Sequence, residues 1–269
     1  MTVDITILGL GVGLLLMLIP LYFLHRLRTM LVGPTLVATA RMIVQLLLLG
    51  LYLKYLFQYN IWWVNLLWGI VMVTVATGTA LRRTNLKPQY LGLPLFVAFL
   101  VTALIITLYF LGLVLGAGGG NGPVSYEYLF TARYFIPVFG LLLGNMLGVN
   151  VLALSTFFEG IRRERQQYYY MLGNGANMWE TMVPFLRTAI VKAFNPCVAN
   201  MAVMGLVAMP GTMIGQILGG SSPSVAIRYQ MMIVVITFVA SMISLMVTVA
   251  IANRRCFDSH GRMKDVFYD

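Results

Sequence analysis

The sequence predicts an all-α polytopic membrane protein with about seven transmembrane helices. Three observations predict it: 60% of the residues are hydrophobic, only 10% are charged, and long apolar runs recur along all 269 residues. A soluble domain carries roughly 25% charged residues, and a helix needs about 20 apolar residues to cross a hydrocarbon core. Backbone polar groups in lipid must pair within their own segment, which forces such runs into helices. No soluble domain of ordinary size fits between them, so residues 1–269 read as a single membrane domain.

The first span, about residues 5–24, is followed by His25, Arg26 and Arg28 and preceded by Asp4. That is the reverse of a signal peptide's charge order, so it reads as a retained span. The second covers about 36–57. The third, about 61–81, begins at Trp62 and Trp63, in keeping with an aromatic belt, and ends at Arg82 and Arg83. The fourth covers about 91–115 and leads into a glycine-rich segment, 116–130, that reads as a flexible outer loop. The fifth covers about 133–157, the sixth 190–218 and the seventh 225–252. Basic residues follow the first, third, fifth and seventh spans, while the alternate connections hold few. The positive-inside rule then places the N-terminus outside and the C-terminus in the cytoplasm.

The formal charge of +10 is distributed in these short clusters, so it sets topology and does not point to nucleic acid. Cys197 and Cys256 are far apart and form no metal or redox spacing.

One cytoplasmic connection is too long to be a mere link. Residues 159–192, EGIRRERQQYYYMLGNGANMWETMVPFLRTAIVK, read as a helix, a Gly-Asn turn and a second amphipathic helix with Met178, Met182 and Phe185 at helical spacing. Such an element either lies along the headgroups or seats in a groove of a cytoplasmic partner. ABC permeases carry a Glu-Ala-Ala, three residues, Gly signature at this place. Counting back from Gly173 puts Gln167 at the glutamate position and Tyr168 and Tyr169 at the alanines, with Leu172-Gly173 matching.

Three further blocks carry a more specific resemblance: ARMIVQLLLLGLYLKYLF (40–57), IPVFGLLLGN (136–145) and GLVAMPGTMIGQILGGSSPSVAIRYQMMI (205–233). In these, in order, the chain resembles the Fet-type iron-export ABC transporter permease family and, in the same segments, plant permeases linked to aluminium tolerance. The resemblance implies a homodimeric transmembrane permease of the cell membrane (the inner membrane in a Gram-negative source). It also implies a separate cytoplasmic ABC ATPase that supplies the ATP and Mg chemistry. The chain has no GxxxxGK[ST] phosphate cradle and so is not itself the enzyme. On this reading Gln167, Tyr169, Leu172, Gly173, Met178 and Trp179, within a coupling segment of about 159–189, dock the ATPase. The family pattern often places an acidic and a basic residue soon after the proline equivalent to Pro196. Here the run NPCVANMAVMG has Asn200 and no charge, which argues against a carboxylate metal site in this span.

For the transport pathway or dimer interface the candidates are Arg41, Gln45, Asn145, Asn200, Pro210, Gly211 and Gly215. Arg41 and Gln45 lie four apart and share a helix face. Arg41, near the cytoplasmic end, either snorkels or pairs inside a dimer. Gly140, Gly144 and Gly148 make a small-residue ladder beside Asn145, and Gly211, Gly215 and Gly219 make a second. Met209-Pro210-Gly211 is expected to kink or break the sixth helix, as a hinge or as a static bend. Met201, Met204, Met209 and Met213 fill apolar volume or meet a soft metal; no His, Asp or Glu cluster marks a hard-metal site within the spans.

Two other classes compete with an ABC permease. An ATP-independent carrier or channel would need no ATPase. A membrane enzyme would need a reactive constellation, and His25 and His260 stand in separate loops without an acidic partner. The topology is directly testable: a fluorescent protein fused after residue 258 should fluoresce and alkaline phosphatase fused there should be inactive, whereas active phosphatase would invert the orientation.

Overall fold

The computed structural model describes residues 7–115, 130–258 and 261–267. The start of the first predicted span, the predicted outer loop 116–130 (apart from Phe130) and His260 lie outside the described residues. The chain forms α1 (Ile7–Leu15), α2 (Leu18–Arg26), α3 (Val32–Tyr59), α4 (Trp62–Thr84) and α5 (Pro88–Tyr109), the last extended by a π-helical turn, Phe110–Leu115. Then follow α6 (Ala132–Arg163), α7 (Arg165–Gly173), α8 (Met178–Val203), α9 (Gly211–Leu218) and α10 (Pro223–Cys256). Six of the described helical stretches are long and apolar enough to cross a membrane: α1 with α2 together, then α3, α4, α5, α6 and α10.

The predicted sixth span is corrected. Residues 190–218 are not one helix: α8 stops at Val203, residues 204–210 turn, and α9 begins at Gly211. The break starts earlier than Pro210, at Met204 and Gly205, where Gly205 takes a left-handed φ of 86° that favours a residue without Cβ. Pro210 does not kink a helix. It is the N-cap of α9 in an extended conformation, and its fixed φ suits the approach to a helix start.

The same region changes the view of the long segment 159–192, predicted to be cytoplasmic. The helix and the Gly-Asn turn are present as α7 and residues 174–177. The second helix is not a separate surface element; it is the first part of the 26-residue α8, which runs about 39 Å into the bundle. Its start is fixed by a capping box. Asn177 accepts from the Glu180 N–H, and Glu180 accepts from the Asn177 N–H, both at 2.9 Å. Met182 and Phe185 face inward and are buried, so the helical spacing marks a core face and not a headgroup-facing one.

The bundle is centred on α6, which packs on α4, α8 and α10, while α5 lies against α10 and α4. Phe135, Phe139, Met146, Phe157 and Phe158 of α6 are all buried. Gly140 admits α4 closely: an added Cβ would stand 2.9 Å from Met72 Cε. Gly144 and Gly148 meet nothing within 4 Å, so the rest of that ladder is open in the protomer. Helices α1 to α3 are peripheral. None of the apolar stretch of α3 is buried, against 50% in α5.

One buried polar link joins the central helices: Asn150 donates to Ser244 Oγ at 2.8 Å and to its own helix at Met146 O. Between-helix hydrogen bonds in membranes average about 0.6 kcal/mol, because the unfolded chain also finds partners. Asn150→Ala should therefore lower stability by only about 1–2 kcal/mol once the small cavity is added. Denaturant unfolding in detergent checks this, with the exposed Thr74→Ala, whose hydroxyl bonds only its own helix, expected to stay near wild type.

Candidate functional site

Two places combine polar chemistry with access, one midway along the bundle between its apolar helices and one at the basic end.

The first is a groove of about 230 Å³ between α6, α8, α9 and α10. Asn145 reaches it from α6. Cys197, Asn200 and Met201 reach it from α8, with Met204 just beyond, Thr212 from α9, and Gln230, Thr237 and Ser241 from α10. Asn145, which lines the groove, donates to Leu141 O one turn back. Thr212 donates to Gln230 Oε1, joining α9 to α10. No ionisable side chain other than the Cys197 thiol lines this groove. Asn145, Asn200 and Thr212 are exposed, so the groove is open along one side.

The break in the former sixth span shapes that opening. The N–H groups of Leu206, Val207 and Ala208 all fold back on Val203 O, and Gly205 N donates to Ala208 O. The turn thus satisfies several of its own donors, and it projects Leu206 and Val207 outward at 91% and 84% exposure.

The second place is the basic end, where α7, the start of α8, the α4–α5 connection and the C-terminal segment meet. Tyr168 is fully buried and donates to Gly261 O at 2.9 Å. Its ring contacts Phe185 of α8 and Phe257 of the tail. Gly261 has φ 73°, a backbone conformation that favours glycine, and it packs against the Leu172 side chain. Lys87 forms an ion pair with Asp265 and its N–H donates to Val266 O, tying the tail to the α4–α5 connection. Arg162 lies over Phe267 and Arg165 over Tyr169. Between α6, α7 and α8 is a cavity of about 620 Å³ that Gln167 and Lys192 help to line.

These geometries sort the predicted residues. Asn145 and Asn200 come together in the groove. Pro210 and Gly211 flank it at the break, and Gly215 has open space around it. Arg41 and Gln45 do not join them: both are on peripheral α3, and Gln45 lines a separate apolar groove with Trp68 and Gly144. At the basic end, Gly173 and Trp179 are exposed. Tyr169, Leu172 and Met178 are half-buried and support the element from beneath. Sequence reasoning missed Thr212, Gln230 and Tyr168 as structural anchors. A glutamine within a 34-residue apolar helix was the available signal for Gln230.

Comparison with known proteins gives the following. The model of the uncharacterised protein family UPF0014 matches residues 7–257. The chain is 30% identical to the "UPF0014 membrane protein STAR2" of Oryza sativa over 79% of this chain and 70% of that one. It is 27% identical to "Protein ALUMINUM SENSITIVE 3" of Arabidopsis thaliana, over 75% and 69%. It is 25% identical to the "Probable iron export permease protein FetB" of Escherichia coli, over 97% and 95%. No solved structure matches.

Burial, followed by the charges that Tyr169 and Asp258 would place nearby, pushes the Tyr168 phenol up to about 12. A group whose folded pKa exceeds its unfolded value of roughly 10 contributes stability below pH 10 and loses it as pH rises toward 12. Tyr168→Phe should cost about 1–2 kcal/mol at pH 7. The gap to wild type should close as pH rises from 9 to 11.5, which thermal unfolding across that range measures.

Proposed function

The chain belongs to the uncharacterised protein family UPF0014, and from that premise we propose that it is the membrane-spanning permease subunit of an ABC exporter for a metal species. A separate cytoplasmic ATPase drives it, and a second copy of the chain completes it. The observation that carries this reading is the helix–turn–helix of α7 and α8. It presents Trp179 and Tyr170 to solvent at 50% and 73% exposure beside the bare Gly173. Large exposed aromatics over a glycine turn suit a partner's groove, because a few such anchors supply most interface energy.

The element is also built to transmit force. Its second helix continues without interruption into α8, and α8 supplies Cys197, Asn200 and Met201 to the groove. A displacement of the turn therefore moves the groove wall directly. Tyr168, Leu172 and the tail brace the turn against α6. Iron is the cargo named for the Escherichia coli relative, and a metal cargo here is supported by that similarity over almost the full chain.

The second copy is supported by the open side of the groove and by the exposed turn at residues 204–210. Irregular backbone at membrane depth is tolerated only when covered by protein or lining a wet cavity. Two such faces meeting across a two-fold axis satisfy both conditions.

Co-expression with candidate ABC ATPases tests the reading. A partner should co-purify, and its ATPase activity should depend on this chain. Trp179→Ala should weaken that association by about 2 kcal/mol, roughly 30-fold, without lowering permease yield. Full metal transport by the purified chain with no ATPase present would contradict the proposal.

A further inference from the structure

Cys197, Met201 and Met204 are separated by four and three residues, so their side chains fall within an arc of about 60° on one face of α8 and its end. All three line the same groove. Thiol and thioether sulfur are soft donors that favour monovalent soft cations, whereas carboxylate and water oxygens suit hard ones. Among the described residues no group of three or more His, Cys, Asp or Glu side chains is placed to hold a metal ion.

We infer that this sulfur face is a binding site for a soft monovalent metal ion of the Cu(I) or Ag(I) class. Charge balance selects the valence. On binding, the Cys197 thiol gives up its proton to solvent and the thiolate takes the metal, with Met201 and Met204 completing the sulfur shell. One thiolate and one monovalent cation sum to zero, so the loaded site adds no charge to the membrane interior. A divalent ion on the same donors would leave one net positive charge there, at a cost of several kcal/mol. No other lining side chain can cancel it, since the rest are neutral.

Neighbouring geometry fits that role. Gln230 is held by its bond to Thr212, which leaves the amides of Asn145 and Asn200 as neutral polar walls through which an ion can pass without being trapped by charge. The three sulfur side chains are half-buried, reachable from the open side yet shielded from bulk water. This site deepens the permease reading, on which it rests only for calling the ion cargo.

The test uses the full chain purified in detergent under anaerobic conditions, titrated with Ag(I) and with Cu(I) against a competing chelator. One ion per chain should bind with release of one proton, and X-ray absorption should show a shell of sulfur only. Cys197→Ser should weaken binding by more than the roughly 10–100-fold that loss of an outer-shell partner costs. Met201→Leu and Met204→Leu should each weaken it too, while Cys256→Ser, a change at the opposite end of α10, should leave it intact. Gel filtration separates these effects from misfolding. Equal binding by wild type and Cys197→Ser, a shell of oxygen or nitrogen, or displacement of Ag(I) by equimolar Fe(II) would each overturn the site. Failure here with ATPase coupling retained would remove the sulfur site and leave the permease reading standing. Binding as expected with no dependence on any ATPase would do the reverse.

Discussion

A peptide group in hydrocarbon has no water to bond, so every N–H and C=O of a spanning segment must find a partner within the protein. Most of this chain obeys through uninterrupted helices. Residues 204–210 do not, and the local turn that gathers three N–H groups on Val203 O is the compromise. Because α8 stops there, α9 starts afresh beside α10, and Thr212 of α9 joins α6, α8 and α10 in lining the polar groove. The groove, its open side and the exposed Leu206 and Val207 are therefore consequences of one interrupted hydrogen-bond ladder.

The opposite end of α8 is constrained in another way. The capping box at Asn177 and Glu180 sets where the helix begins, and Tyr168 locks the preceding helix to the tail through Gly261. The tail in turn is tied to the α4–α5 connection through Lys87. The connections at the basic end thus form one braced platform, with α8 as the shaft between it and the groove. On the proposed permease reading, a partner bound at α7 would have a direct mechanical route to the groove through α8.

Much of this was legible before any coordinates. The bilayer imposes length and polarity so strongly that spans such as 61–81 and 225–252 fall within a few residues of α4 and α10. The Gly-Asn turn was legible because glycine and asparagine punctuate helices by backbone conformation. What was not legible depended on distant partners. Tyr168 reads as one of three tyrosines, and only the returning tail selects it for burial. Met178, Met182 and Phe185 show a helical face, yet spacing alone does not say whether that face meets headgroups or α6. Proline at 210 suggested a kink or a break; the helix does break, but from Met204 onward, and Pro210 with its fixed φ leads into the start of α9. Gln45 looked equivalent to Asn145 as a polar group in a span, but α3 is peripheral and carries it elsewhere.

The central claim is that the broken helix opens a water-accessible path on one face of the bundle. Single cysteines at positions 145, 200 and 47, each in a chain with Cys197 and Cys256 replaced by serine, measure this in native membranes with a small membrane-impermeant maleimide. Leu47, like Asn145 and Asn200, is exposed in the protomer but lies on the apolar, peripheral α3. The account predicts labelling at 145 and 200 and none at 47. Groove positions as inert as 47 would mean that lipid or packed protein fills the space, and the path would not exist.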